Sequence, residues 1–340
     1  MRWFNGNTLR DRIINFIPYF LFLGIIGITL LSLISSFGEN MFFELFSHFK
    51  IQYFILISLL FGLLLLTRSK KLFIITSLAC LSVIATEIVP WYIPNSPISI
   101  NTAANLRILS TNINIQNKNY PKILSLIRKE KPDIAVIIET DDAWIKQLNS
   151  LSDILPYSIY DENLYNFFGI AIYSKIPLNN ASINVFGVPK NPSILANITI
   201  NRQVVSLIAT HPPPPKPNLF KSRNKQLDEI SQYAKSLSNP VVIVGDFNIT
   251  MWSQYYKRFV SNTGLKNARQ GFGILPTWPK KTIYRPYSRI PSFLLWLLSI
   301  PIDHCLVSPE IKVANIRTAA NVASDHLPIV IDLVIPEKKG

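Results

Sequence analysis

The 340 residues predict an α/β protein in which three membrane-spanning helices precede one large domain of mixed or antiparallel sheets. Three observations lead there. Hydrophobic residues make up 49% of the chain and charged ones only 16%, against about 25% charged in typical soluble domains. With a mean hydropathy of +0.25, this excludes a disordered chain and exceeds what one water-facing domain can hide. The apolar excess is gathered in three runs before residue 91. Beyond them, short β-rich runs alternate with helical patterns, and several strands follow one another with no helix between, which excludes a purely parallel, doubly wound sheet.

The three runs are residues 16–37, 51–67 and 72–90, the last carrying only Glu87 near its end. Each is close to the roughly 20 residues that an α-helix needs to cross a bilayer core of about 30 Å. The first is too long for a cleaved signal and is followed by two more. Arg2, Arg10 and Arg12 precede the first run, and Arg68, Lys70 and Lys71 lie between the second and third. The connector between the first two holds Glu39, Glu44 and the boundary Lys50, and no Lys or Arg occurs from Thr86 through Leu106. The positive-inside rule therefore places the N-terminus and second loop in the cytoplasm and everything after the third span outside. Glu87, within a turn of the interface, is expected to be solvated or snorkelling. Residues 1–97 form the anchor and linker, with Pro90, Pro94 and Pro97 marking a stiff tether whose roughly 15 residues reach at most about 50 Å. Residues 98–340 form the second domain.

Within that domain, strands are expected at 106–113, 134–138, 169–174, 183–186, 194–200, 204–210, 241–244, 304–307 and 329–334, from apolar or β-branched runs bounded by turn residues. Helices are expected at 122–131, with Ile123, Leu126 and Ile127 on one face, and at 219–237, with Leu227, Ile230 and Leu237 at core spacing. No repeat at a period of 20 to 50 residues is present. The net charge is +14 and the pI near 9.7. From residue 98 onward, 27 Lys and Arg face 16 Asp and Glu, so this domain alone carries +11. An anionic partner follows: nucleic acid, a phosphorylated small molecule or a phospholipid surface. Cys80 and Cys305 lie too far apart in sequence and context for a disulfide framework or a zinc site, and Cys305 is expected in the core.

The chemistry is carried by polar residues that end or open apolar strands. Asn112 ends LRILST, Glu139 ends IAVII, His211 ends VVSLIAT, and Asp246 and Asn248 follow VVIVG. Asp303 and His304 open one strand, and Asp325 and His326 precede the last. One such residue is ordinarily a turn cap; six such places in one domain suggest a site. Hard oxygen ligands from Glu, Asp and Asn suit Mg²⁺ or Mn²⁺, and a carboxylate-oriented His suits proton transfer to or from water. This is the set for metal-assisted attack on an anionic phosphoester, in which the metal polarises a phosphoryl oxygen. Nucleophile elbows, a Walker A loop and an HExxH helix are all absent from the sequence.

Asn112 in LRILSTNI, Glu139 in PDIAVIIET, then GIAIYSK, ATHPPPP, GDFN, IDH and SDHLP stand in the order and approximate spacing of the endonuclease/exonuclease/phosphatase superfamily. The chain resembles in particular bacterial members with N-terminal membrane spans, a resemblance that implies a location in a bacterial plasma membrane. The resemblance covers about residues 106–333 and implies a four-layer α/β/β/α, deoxyribonuclease-like sandwich with its site at one edge of two packed sheets. It implies that Asn112, Glu139 and Asp325 surround a divalent cation, with Glu139 the principal ligand. Asp246 and Asn248 would align the phosphate and attacking water or serve a second metal position. His326 would be general base or phosphate contact, oriented by Asp303, and His211 the second catalytic histidine. A His at 211 is what deoxyribonuclease-like and sphingomyelinase-like members have, whereas apurinic endonucleases have an amide there; this argues against abasic-site repair.

Several positions stay open at this level. Asn114 and Asn117 could contact substrate or be turn amides, and Arg223, beside Asn224, could clamp a phosphate or be a surface residue. His304 is expected on the face opposite Asp303 by strand alternation, hence structural. Pro212 to Pro215 are expected to stiffen the loop that holds His211. The basic then apolar stretch with Lys280, Lys281, Arg285 and Arg289, followed by residues 291–301, is either a loop dipping into a membrane interface or a buried helix packed on a sheet. The expected activity is hydrolysis of phosphodiesters, by a nuclease or a phospholipid or sphingomyelin-type phosphodiesterase. The alternative is a non-catalytic module that binds phosphorylated ligands, which the complete set of acids and histidines argues against.

Overall fold

The computed structural model describes residues 9–67, 69–94, 103–161, 169–187, 191–284 and 286–337. Arg2, Arg68, Pro97 and Arg285 lie outside the described residues. Two compact units divide the chain after Val89. The first holds helices α1 (Leu9–Ser35), α2 (Met41–Ser47), α3 (Lys50–Leu65) and α4 (Lys71–Ala85). Three spans were expected, and the described residues contain one helix long and apolar enough to cross a membrane, Asn15–Ser35. Helices α2 and α3 pass the same test only as a pair bent by 63°. Helix α3, with 16 residues, and α4, with 15, rise only about 22–24 Å, because the apolar runs at 66–67 and 86–90 continue past the helical backbone. The boundary Lys50 is buried, its ammonium donating to the Ser32 carbonyl and to the hydroxyls of Ser32 and Ser36.

The second unit contains two six-stranded mixed sheets. In chain order its elements are β1 (Leu106–Asn112), α5 (Tyr120–Glu130), β2 (Ile134–Ile138), α6 (Asp142–Leu148), β3 (Tyr157–Tyr160), β4 (Ile170–Ser174), β5 (Asn179–Val185), β6 (Pro192–Ile200), β7 (Gln203–Thr210) and α7 (Phe220–Ser236). Then come β8 (Val241–Asp246), α8 (Gln254–Thr263), β9 (Lys266–Asn267), α9 (Ser292–Leu298), β10 (Asp303–Val307), β11 (Lys312–Thr318) and β12 (Ile329–Val334). One sheet runs β11-β12-β1-β2-β4-β3 and the other β5-β6-β7-β8-β10-β9. Only β1 with β2 and β7 with β8 pair in parallel among the described strands.

The facing surfaces of the sheets share one core that includes Ile108, Val136, Ile172, Ile194, Leu207, Val244, Cys305 and Ile331. Outside the first sheet, Ile123 and Ile127 of α5 and Trp144 and Leu148 of α6 pack on Leu109, Ala135 and Ile137. Strands β1 and β2 are therefore apolar on both faces. Outside the second sheet, α7 buries Leu227, Ile230 and Ala234, and its Gln226 amide reaches the Ser193 and Thr210 hydroxyls of β6 and β7. The result is the expected α/β/β/α sandwich.

The proline segment after α4 is not a free tether along its whole length. The Trp91 carbonyl accepts hydrogen bonds from Gly271 and Gly273. A Cβ at Gly271 would lie 2.7 Å from Pro94 Cα and one at Gly273 2.9 Å from the Tyr92 ring, so the two glycines admit residues 91–94 within the second unit.

Candidate active site

The carboxyl ends of the two parallel pairs, β1 with β2 and β7 with β8, converge at one edge of the sandwich. From the first sheet come Asn112 at the end of β1, Glu139 just after β2, and Asp325 and His326 leading into β12. From the second come His211 after β7, Asp246 ending β8, Asn248 two residues on, and Asp303 at the start of β10. Asp246 and Asp303 are directly opposed in antiparallel register.

These groups share hydrogen bonds. The Asn112 amide donates to Glu139 Oε1 at 2.9 Å and to Asp246 Oδ2 at 3.1 Å, joining the two sheets. That same Asp246 oxygen lies 3.7 Å from Nε2 of both His211 and His326. The other Asp246 oxygen accepts from the Asn248 backbone N–H at 2.9 Å. His326 Nδ1 meets Asp303 Oδ2 at 2.9 Å, the arrangement expected of a carboxylate-oriented imidazole. Asn248 donates its side-chain amide to the Pro212 carbonyl, so the proline loop after His211 and the turn after β8 hold one another.

The backbone is under strain here. Glu139, Asn248 and Asn114 have φ of 64°, 52° and 58°, in the left-handed region that costs a non-glycine residue about 1–3 kcal/mol. Glu139 is held there by its N–H and that of Thr140, both donating to the Gly169 carbonyl. At Gly245 the cause is close approach. A Cβ would sit 1.9 Å from the Thr210 carbonyl oxygen of the neighbouring strand.

Electrostatically, the site is an acid cluster whose members raise or lower one another's proton affinity. Burial raises the Glu139 carboxyl above the usual range, with Asp325 adding to the rise, and burial with Asp303 nearby raises Asp246. Burial opposes charge on His326 as well, but Asp303, Asp246 and the hydrogen bond to Asp303 overcome it and hold the imidazole up at about 10. Asp303, which burial alone would raise, is held below its usual range by the His326 charge and hydrogen bonds. His211 is pushed down to about 3 by burial and by the His326 charge. Two imidazoles beside one carboxylate oxygen thus hold opposite protonation states.

Four carboxylates converge with one cationic side chain among them, which suits a divalent cation with oxygen ligands. Asp246, Asp303 and His326 offer ligand atoms within 4.8 Å of one another. Asn112, bonded to both Asp246 and Glu139, and Asp325, next to His326 in the chain, extend the oxygen donor set.

Two expected substrate contacts are placed elsewhere. Arg223 is fully buried, its guanidinium over the rings of Phe220 and Tyr255 and donating to Asn224 Oδ1 and the Asn248 carbonyl. A guanidinium enclosed in this way cannot clamp a bound phosphate; it supports the Asn248 turn. Asn117 is also fully buried, donating to the Val322 carbonyl and accepting from the Asn119 N–H, so it ties a loop. Asn114 instead donates to Asp325 Oδ1 at 2.7 Å. His304 lies on the opposite strand face from Asp303, bonded to the Ile249 carbonyl and packed on Phe247 and Tyr256.

The structure adds two neighbours that the sequence reading left out. Trp278 Nε1 donates to Asp325 Oδ2 at 3.1 Å, and Tyr287 packs on that indole. Trp278 stands in the sequence Pro-Thr-Trp-Pro, which carries no sign of this contact.

Fold and site together define a phosphoester-type centre built on a two-sheet sandwich. The family model described as Endonuclease/Exonuclease/phosphatase family matches residues 109–326, and the chain belongs to that family. Among solved structures, the human Nocturnin catalytic domain with bound sulfate is similar at 18% identity, covering 68% of this chain and 93% of that one, with a TM-score of 0.56. D. rerio TDP2 complexed with single strand DNA product is similar at 16% identity, covering 68% and 99%, with a TM-score of 0.54. An endonuclease/exonuclease/phosphatase from Beutenbergia cavernae is similar at 19% identity, covering 68% and 71%, with a TM-score of 0.52. Among the curated proteins, none matches by sequence.

Proposed function

We propose that this chain is a Mg²⁺- or Mn²⁺-dependent phosphodiesterase, anchored in a bacterial plasma membrane with its N-terminus in the cytoplasm and its catalytic domain outside. The observation that carries the hydrolase reading is the convergence of Asn112, His211 and His326 on Asp246 Oδ2. The anchoring rests on the apolar helix Asn15–Ser35 and on the distribution of Lys and Arg around the apolar runs.

In this reading Glu139, Asp325, Asn112 and Asp246 would hold the metal, which would supply Lewis-acid polarisation of a phosphoryl oxygen and charge neutralisation at the leaving oxygen. His326, kept charged by Asp303, donates through Nε2 to the phosphate. His211, kept neutral by burial, accepts the proton of the attacking water, and Asn248 and Asp246 align that water. Arg223 and Asn114 act as positioning residues for Asn248 and Asp325.

The test is hydrolysis of bis(p-nitrophenyl) phosphate by the full chain in detergent, with Mg²⁺ and with chelator. Metal-dependent turnover lost in both Asp246→Ala and His326→Ala is expected. Activity that survives both substitutions refutes the assignment. A panel of plasmid DNA, RNA, phospholipid and sphingomyelin then separates a nuclease from a lipid phosphodiesterase.

A further inference from the structure

The segment between Trp278 and Ile300 is pinned to the site at one end and apolar at the other. Trp278 is bonded to Asp325, the Lys280 N–H donates to the Asp325 carbonyl, and Trp278 bridges to Ile300. The buried Ser299 hydroxyl, in contact with the Pro279 and Leu295 carbonyls, receives the Lys280 ammonium. From this base α9 projects with only Leu295 buried. Phe293 and Trp296 are 67% and 72% exposed, and Leu294, Leu297 and Leu298 are exposed with them. The expected alternative of a helix buried on a sheet is therefore not what the chain forms. Ile283, in the same segment, is 77% exposed.

An apolar, Trp-bearing surface of this kind has two ordinary occupants, another protein or a bilayer. The charge around it selects the bilayer. Lys281 and Arg289 flank α9 and are exposed, and the segment 278–302 that carries it has four Lys and Arg and no Asp or Glu. An aromatic and aliphatic patch rimmed by cations and free of acids is complementary to the acyl–headgroup boundary of an anionic membrane.

We infer that α9 is an interfacial docking element that seats its apolar side chains in an anionic bilayer and sets the catalytic edge, through the Trp278–Asp325 bond, at headgroup level. The inference deepens the proposed phosphodiesterase by favouring substrates presented at a membrane surface. It is tested without reference to turnover.

The full chain is reconstituted in vesicles of phosphatidylethanolamine and phosphatidylglycerol, with a polarity-sensitive dye on Phe293→Cys, Trp296→Cys or, as control, Ser150→Cys. Cys80 and Cys305 are buried, so the introduced thiols take the label. At 293 and 296 the emission is expected to shift to the blue and to be quenched several-fold more by doxyl-labelled lipid than by aqueous iodide, with the reverse at 150. Replacing phosphatidylglycerol by phosphatidylcholine is expected to weaken the lipid quenching. Iodide quenching without lipid quenching at 293 and 296 overturns the inference. Protection from both quenchers, the signature of a protein cover, also overturns it. Either failure leaves the hydrolase reading intact, because that reading is decided by the soluble diester.

Discussion

Replacing Asp303 by Asn keeps the shape of the side chain and an oxygen to accept the His326 Nδ1–H at 2.9 Å, and removes the charge. Holding His326 at about 10 against an ordinary 6.5 is worth on the order of 5 kcal/mol in favour of the imidazolium, shared among Asp303, Asp246 and Asp325. Assigning about half to Asp303, the nearest acid, gives roughly 2.5 kcal/mol, so the His326 titration in Asp303→Asn falls by one to two pH units. If His326 holds the phosphate as a cation, kcat/KM for bis(p-nitrophenyl) phosphate falls about 10²–10⁴-fold, and the alkaline limb of its pH profile moves down by the same one to two pH units. The pair also links pH to stability. A histidine raised on folding contributes stability that is complete below its unfolded value of about 6.5 and is lost as pH rises through about 10. Wild-type protein in chelator should therefore lose denaturant resistance between pH 7 and 10, and Asp303→Asn should show a flatter dependence. An alkaline limb at the same pH in both proteins would refute the reasoning.

Glu139→Gln is expected to abolish most of the rise in melting temperature that Mg²⁺ produces, read by thermal unfolding with and without chelator, because a central oxygen ligand loses its charge. Gly245→Ala is expected to cost about 3 kcal/mol or more in chemical denaturation, since its Cβ meets the Thr210 oxygen at 1.9 Å across a paired strand. His304 is held neutral, down at about 3, first by burial and then by the Arg269 charge. The unfolded chain protonates this residue near 6.5, so its contribution is present above that value and is withdrawn toward pH 3, by up to about 1.4 kcal/mol per pH unit. Denaturation in chelator between pH 7 and 4 should show a shallower acid slope for His304→Gln than for the wild type.

The elements legible in the sequence are those whose burial is uniform. Strands β2 and β8, buried throughout, coincide with or extend the expected runs, and the polar residues at their ends gather at one edge because parallel pairs bring their carboxyl ends together. Elements without that signature were missed. Strand β11 is half-buried along most of its length, β3 has four residues, α6 has seven, and the amphipathic α8 follows directly on the site motif. Residue type also says nothing about where a side chain points. Arg223 and Asn117 carry groups suited to phosphate and amide contacts, and their enclosure by Tyr255 and the Val322 loop comes from tertiary packing. In the first unit, hydropathy measures the apolar run and not the helix within it, which is why three spans of similar expected length become helices of 27, 16 and 15 residues.

The division of the site between two sheets has a consequence for how this protein is damaged. Neither sheet carries a working half: Asn112, Glu139, Asp325 and His326 belong to one, and His211, Asp246, Asn248 and Asp303 to the other. The Asn112–Asp246 bond across the seam, at 3.1 Å, makes the constellation a gauge of how the sheets are seated. In the proposed phosphodiesterase, core positions between the sheets, such as Val136, Val244 and Ile331, would set the geometry of the site without being part of it. Substitutions there, even ones that leave the protein folded, should register as lost turnover before they register as lost structure.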